Sequence, residues 1–193
     1  MKIPVIDISK FELGSNADKD FVALQIDEAA RNLGFMQLSG HGLNTNYLEE
    51  LQHCIDDFFS LPLIIKERCR SSDPKINRGY TPPLTERLSY SIGVDSPPDL
   101  FEAFNMGSAW TDFPQLSLDP IAYPINLWPE RPKAFREGIQ RWFDVMVLFS
   151  RRVTRMMAYT LDLPLDFFTA YEDHSLDVLR LNVYAANSVD SVS

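Results

Sequence analysis

Metal or nucleophilic chemistry needs convergent His, Cys or carboxylate side chains, and this sequence holds three histidines and two cysteines. His41 lies in the glycine turn Ser39-Gly40-His41-Gly42 and reads as a side chain bonded to nearby backbone rather than one lining a pocket mouth. His53 adjoins Cys54 on an amphipathic stretch and reads as an ordinary helix residue. His174 follows Glu172 and Asp173 and reads as a helix-end residue. There is no His-x-Asp pair, no glycine-rich phosphate loop and no Gly-x-Ser-x-Gly elbow. No catalytic residue and no metal ligand is therefore assigned. Cys54 and Cys69 are too few for a disulfide scaffold and read as buried thiols of a reducing compartment.

Other polar residues are placed as if to touch a ligand. Arg78, in Asn77-Arg78-Gly79-Tyr80, could hold a carboxylate in bidentate fashion. It could equally anchor its loop by pairing with Glu86 or Asp73. Arg180, Asn182 and Tyr184 alternate with Leu179, Leu181 and Val183, the period of a half-buried strand over Val178–Tyr184. Three hydrogen-bonding side chains on one face are costly in a core. They either line a polar pocket or face solvent.

The elements that position these residues begin with Glu130 to Leu161. Phe135, Ile139, Trp142, Met146, Phe149, Val153 and Met157 recur at intervals of four and three, one stripe of a long α-helix. Lys133–Glu137 and Glu137–Arg141 are expected to pair along it. Upstream, the chain reads as a strand at Ile3–Ile8, a loop at Phe11–Ser15 and a helix to Asn32, capped by Asp18 or Asp20 and stopped by Gly34. Phe21, Leu24, Ile26, Ala29, Ala30 and Leu33 form its apolar side. A strand at Phe35–Leu38 follows, then a helix opened by Asn46 with Glu49 in a capping box. Pro62 opens a short helix to about Cys69. Further strands are expected at Arg87–Val94 and Phe101–Met106, the latter ended by Gly107. A Pro-rich loop then runs from Ala109 to Pro129, pinned by Trp110, Phe113, Tyr123 and Trp128. A short helix is expected after Leu163-Pro164-Leu165. The fold class is mixed α/β.

A net charge of -9 disfavours nucleic acid or an anionic membrane as partner. No apolar stretch reaches the length of a spanning helix and the N-terminus lacks a signal-peptide core, which points to the cytoplasm.

In order along the chain, Ile3-Pro4-Val5-Ile6-Asp7-Ile8, Gly34-Phe35 with His41-Gly42, Arg78-Gly79-Tyr80, Glu102-Ala103-Phe104 with Gly107, Asn126 with Trp128-Pro129, and Leu179–Tyr184 resemble the isopenicillin-N-synthase-like 2-oxoglutarate- and iron(II)-dependent oxygenases. The resemblance spans residues 3 to 184. It implies the N-terminal helical and mixed region of a double-stranded β-helix, or jelly roll, with most of the barrel missing. Residues 1–184 would form that region, and 185–193 a divergent or truncated tail.

In the complete family enzyme, Fe(II) and 2-oxoglutarate are the cofactors and the substrate is a small organic molecule. The resemblance places Asn182 and Tyr184 against 2-oxoglutarate and Arg78 and Arg180 toward the substrate. The His-x-Asp…His triad and the Arg-x-Ser motif are absent from the sequence, so the chain alone is expected to be inactive and to hold no cofactor. Two readings remain: part of an oxygenase, or a naturally short, non-catalytic protein that binds a partner where the barrel would lie. Both leave the long helix and the strands at Phe35 and Phe101 partly uncovered, with marginal stability or self-association expected.

Overall fold

A run of apolar residues at helical spacing folds as one long rod when nothing breaks it, and the computed structural model, which describes residues 2–86 and 99–184, shows this for Lys133–Thr160. In chain order the elements are β1 (Val5–Asp7), α1 (Ser9–Leu13), α2 (Asn16–Asn32), β2 (Gln37–Ser39), α3 (Asn46–Phe59), α4 (Leu63–Lys66), β3 (Gly79–Thr81), β4 (Phe101–Gly107), α5 (Lys133–Thr160) and β5 (Val178–Tyr184). Short 3-10 turns occupy Glu67–Cys69, Trp110–Asp112 and Thr169–Tyr171. The strand expected at Arg87–Val94 and the tail 185–193 lie outside the described residues. Among the described residues no helix is long and apolar enough to cross a membrane. The chain divides into two units, Met1–Leu48 with Asp144–Ser175 and Glu49–Phe143 with Leu176–Ser193.

In the first unit β1 and β2 pair in parallel, with Ile6 opposite Leu38. Parallel neighbours need a helical crossover, which α1 and α2 supply. The expected loop at Phe11–Ser15 is in part helix: α1 turns Phe11 into the core, where it is 5% exposed. The cap of α2 is Ser15, not Asp18 or Asp20. The Ser15 Oγ accepts from the Asp18 N–H, and the Asp18 carboxylate accepts from the Ser15 N–H. The Ser15 hydroxyl also donates to the Asp18 carboxylate at 2.7 Å, and this bond and the one from the Ser15 N–H hold the carboxyl below its usual range.

The buried face of α2 is also rotated from the expected one. Val22, Ala23, Ile26 and Ala29 are buried, while Phe21 and Leu24 are exposed. At 100° per residue, moving the stripe by one position is enough to exchange these neighbours. Gly34 ends the segment at φ +74°, a conformation that suits glycine, and its N–H closes on the Ala29 carbonyl. Ile6, Ile8, Phe11, Val22, Ile26, Ala29 and Met156 form the core of this unit, with Phe149, Val153 and Met157 against it. After α5 the expected helix is replaced by turns that close at i→i+3, Thr169 N–H to Asp166 and Tyr171 N–H to Phe168. Phe167 and Tyr171 stay exposed, so no apolar face drives a longer helix.

In the second unit β3, β4 and β5 form an antiparallel sheet in that order. The Phe101 strand is therefore central rather than an uncovered edge. Its backbone is paired on both sides, Phe104 with Tyr80 and with Leu181. One face of the sheet carries Tyr80, Phe104, Met106 and Leu181 into a core completed by Phe58, Phe59, Cys69, Phe135 and Ile139. Phe58 and Phe135 stack at 4.3 Å, and Phe104 meets Phe135 edge-on at 4.8 Å. Of the four aromatics expected to pin the Pro-rich loop, Trp128 does so against Phe104 and Phe135. Phe113 and Tyr123 pack on each other, and Trp110 is exposed.

The α3–α5 contact is close because Gly138 has no side chain; a Cβ there would overlap the Cys54 Sγ. Arg141 does not pair along its own helix but reaches Glu50 on α3 at 2.6 Å. Both groups are half-exposed, so this contributes little. Asn46 is the first helical residue of α3, and its N–H is received by the Asn44 side chain. Cys69 is buried and its thiol is pushed up to about 11 by desolvation. Cys54 is half-buried, and both thiols are free.

Candidate functional site: the polar face of the sheet

Successive residues of a strand point to opposite faces, so a one-residue slip would bury the polar set. In β5, Leu179, Leu181 and Val183 meet the core, which puts Arg180, Asn182 and Tyr184 on the other face. The register sets Asn105 opposite Arg180, Ala103 opposite Asn182 and Phe101 opposite Tyr184. Thr81 of β3 stands opposite Ala103. Arg180, Asn182 and Tyr184, three of the four candidate residues read from the sequence, share this face.

Arg180 is the centre of a local network. Its guanidinium donates to both oxygens of Glu86, at 3.2 and 2.7 Å, and its Nε donates to the Asn182 Oδ1 at 2.8 Å. It also lies over the Phe101 ring at 5.2 Å, and that ring leans on Tyr184 at 5.5 Å. Asn182 and Tyr184 are exposed, Tyr184 at 71%. Among the described residues, the Asn182 Nδ2 and the Tyr184 hydroxyl are left as hydrogen-bonding groups on this face. Deeper on the same face, Asn105 is 1% exposed; its Nδ2 donates to the Thr81 Oγ1 at 3.4 Å and its Oδ1 has no partner among the described residues.

Arg78 precedes β3 and is 5% exposed. It pairs with neither Glu86 nor Asp73. Its Nη1 and Nη2 donate to the carbonyls of Asn77 and Ser108, at 2.9 and 3.1 Å, and its buried Nε has no partner among the described residues. Burial alone lowers the pKa of this group. Gly107 makes room for it: a Cβ there would stand 2.8 Å from the Arg78 Nη2 and would overlap the Asp177 carbonyl. Asn126 fastens the same glycine, accepting from its N–H at 2.9 Å and donating to its carbonyl at 2.8 Å. Gly79, next to Arg78, has φ +78°, and a Cβ would overlap the Cys69 carbonyl. Arg78 and Arg180 both line a cavity of 390 Å³ with Asp73, Thr81, Thr85 and Glu86. Asn182 and Tyr184 lie along β5 outside its lining.

On the core face of the same strands sits a group that the sequence reading missed. The Lys66 Nζ, in a residue 6% exposed, donates to the Glu102 Oε2 at 2.6 Å and to the Phe59 carbonyl at 2.9 Å. The Tyr80 hydroxyl donates to the same Glu102 oxygen at 2.6 Å. Desolvation, then the bond to Glu102 and its charge, raise the Tyr80 pKa, so the phenol stays a donor at neutral pH. The signal was present in period two, which puts Glu102 on the face of Phe104 and Met106.

The histidines do not converge. The His41 Nδ1 accepts from the Leu43 N–H, as expected of a turn side chain. His53 is exposed on α3, and His174 bonds Asp173. Among the described residues no three His, Cys, Asp or Glu side chains come together to hold a metal ion. That donor set does not fit an iron centre. The polar face offers hydrogen-bonding groups and one neutralised guanidinium, an arrangement suited to orienting an organic ligand.

Mixed α/β architecture, with two- and three-stranded sheets that do not close into a barrel among the described residues, defines the fold class as part of a jelly roll. Residues 3–131 match the family model for the non-haem dioxygenase in morphine synthesis N-terminal region, and the chain belongs to that family. It is 28% identical to a validamycin A dioxygenase of Streptomyces hygroscopicus subsp. limoneus over 98% of its own length and 51% of that protein's. It is 27% identical to the protein DOWNY MILDEW RESISTANCE 6 of Arabidopsis thaliana over 94% of its length and 47% of that protein's. The crystal structure of a full-length Neurospora crassa protein in complex with alpha-KG and thymine superimposes with a TM-score of 0.73 at 25% identity, covering 93% of this chain and 54% of that one. The chain thus spans about half the length of the curated relatives it matches.

Proposed function

We propose that this chain is the N-terminal part of a 2-oxoglutarate- and iron(II)-dependent oxygenase acting on a small organic substrate, in which residues 1–184 form the N-terminal region and 185–193 a divergent or truncated tail. The observation that carries this reading is the register of β5, which gathers Arg180, Asn182 and Tyr184 on the face opposite the core. In the complete protein this face is one wall of the pocket. Asn182 and Tyr184 hydrogen-bond 2-oxoglutarate there, and Arg78 and Arg180 lie toward the substrate. Support comes from the family match and from the relative whose structure holds alpha-KG with thymine. The reaction is a hydroxylation, desaturation or ring closure, in which iron(II), when bound, would activate the dioxygen that serves as oxidant. The protein acts in the cytoplasm.

On this reading the chain alone binds neither cofactor and does not turn over. With Fe(II), ascorbate, oxygen and 2-oxoglutarate, the expected yield of succinate is that of the protein-free control; protein-dependent succinate would overturn the claim. In the native source, a protein of mass well above 22.1 kDa containing this sequence is expected. In that protein, Asn182→Ala and Tyr184→Phe should raise the KM for 2-oxoglutarate by roughly tenfold, the loss of one good hydrogen bond to a charged group. Unchanged KM in both variants would remove these residues from the site.

A second reading is favoured by the exposed Tyr184 and by β5 having β4 as its only strand neighbour among the described residues. Here the chain is a naturally short, non-catalytic protein whose sheet edge and polar face are covered by a partner or by another copy of itself. A native protein of 22.1 kDa that is monomeric and monodisperse would sink this second reading.

A further inference from the structure

We propose that the unit built on β1 and β2 binds a small organic anion, a phosphate or carboxylate on a compact apolar body, at a site separate from the polar face of the sheet. The site is a 270 Å³ cavity lined by Phe11, Glu12, Lys19, Arg152, Arg155 and Leu165. Three cations and one carboxylate line it in a chain whose net charge is -9. The carboxylate is already used. Both Glu12 oxygens accept from Arg152, at 2.8 and 3.2 Å, and the remaining Arg152 Nη1 donates to the His41 carbonyl at 2.9 Å. Glu12 is thereby neutralised within the site.

Lys19 and Arg155 remain. Neither has a carboxylate partner among the described residues, whereas Lys10 pairs with Asp18 and Arg31 with Asp27 in the same unit. Two unneutralised cations face one small space, a repulsive arrangement that an anion relieves. The floor beside them is apolar and preformed. Phe11 is 5% exposed and held edge-on to Tyr159 at 5.4 Å, and Leu165 packs on the same core. Inorganic phosphate would use the cations and leave this floor wet. A ligand with an apolar body covers both, and the volume, just below the usual range for ligand cavities, limits that body to about one ring.

The test is calorimetric titration of the 193-residue chain with phenyl phosphate, and with inorganic phosphate and phenol as its two halves. Phenyl phosphate should bind more tightly than either half. Lys19→Gln and Arg155→Gln should each weaken it at least about tenfold, Lys19→Arg should keep it, and Arg31→Gln should leave it unchanged. Absence of binding at millimolar phenyl phosphate would overturn the proposal. So would undiminished affinity in either glutamine variant, or inorganic phosphate binding as tightly as phenyl phosphate.

Discussion

Lys66→Met lowers the stability of the β3-β4-β5 unit by about 3–5 kcal/mol, the cost of stranding a carboxylate whose cation has been removed in a largely buried place. The Glu102 side chain is 20% exposed and that of Lys66 is 8% exposed, so water cannot replace the lost partner fully. The Phe59 carbonyl loses its donor in the same step. Urea unfolding followed by tryptophan fluorescence isolates the effect, because Trp110, Trp128 and Trp142 all lie within Glu49–Phe143. With a urea slope of about 2 kcal/mol/M the midpoint should fall by about 2 M. The control is Lys66→Met combined with Glu102→Gln, which removes both charges and keeps an acceptor for Tyr80. It should recover most of the loss, since uncharged replacements of a buried pair are often nearly neutral. A double variant no more stable than Lys66→Met would mean that packing of the lysine stem, not charge, carries the effect.

Phe58→Ala should cost a similar amount, about 3–5 kcal/mol, for a different reason. Phe58 is 0% exposed, and its ring meets those of Phe59, Tyr80, Phe104 and Phe135 at centroid distances of 4.3 to 6.2 Å. Its neighbours come from α3, β3, β4 and α5, so no single element can move in to fill the void. Ile64→Ala is the comparison: Ile64 is 67% exposed, and the change should stay within about 0.5 kcal/mol. Equal midpoints for the two variants would refute the assignment of Phe58 as the centre of this core.

These two experiments probe opposite kinds of legibility. Phe58 shares an apolar stripe with Leu51, Cys54 and Ile55 in the sequence, because a helix repeats its face every three to four residues. Lys66 has no such signal. A lysine in a short helix looks like a surface residue, and the period that puts Glu102 on the core face does not name its partner, which lies 36 positions away in the chain. The pairing of Glu86 with Arg180, rather than with Arg78 as one reading of that loop has it, has the same origin. Which arginine receives the carboxylate depends on the pairing of β4 with β5, which no local pattern encodes.

The sequence by itself determined the existence and phase of the elements with strong periodicity. The long helix, the alternation of Val178–Tyr184 and the end of β4 at Gly107 follow from side-chain spacing and from glycine. It also carried the ordered motifs of the family, and with them the residues gathered on the polar face. Tertiary structure decided what spacing leaves degenerate. It set the central place of β4, the face of α2 that is buried, the cap at Ser15 and the partners of Arg78, Arg141 and Arg180. The physical reason is range. Periodicity and capping act over a few residues of one segment, whereas burial, strand order and ion pairing are settled by whichever distant segment comes to lie alongside.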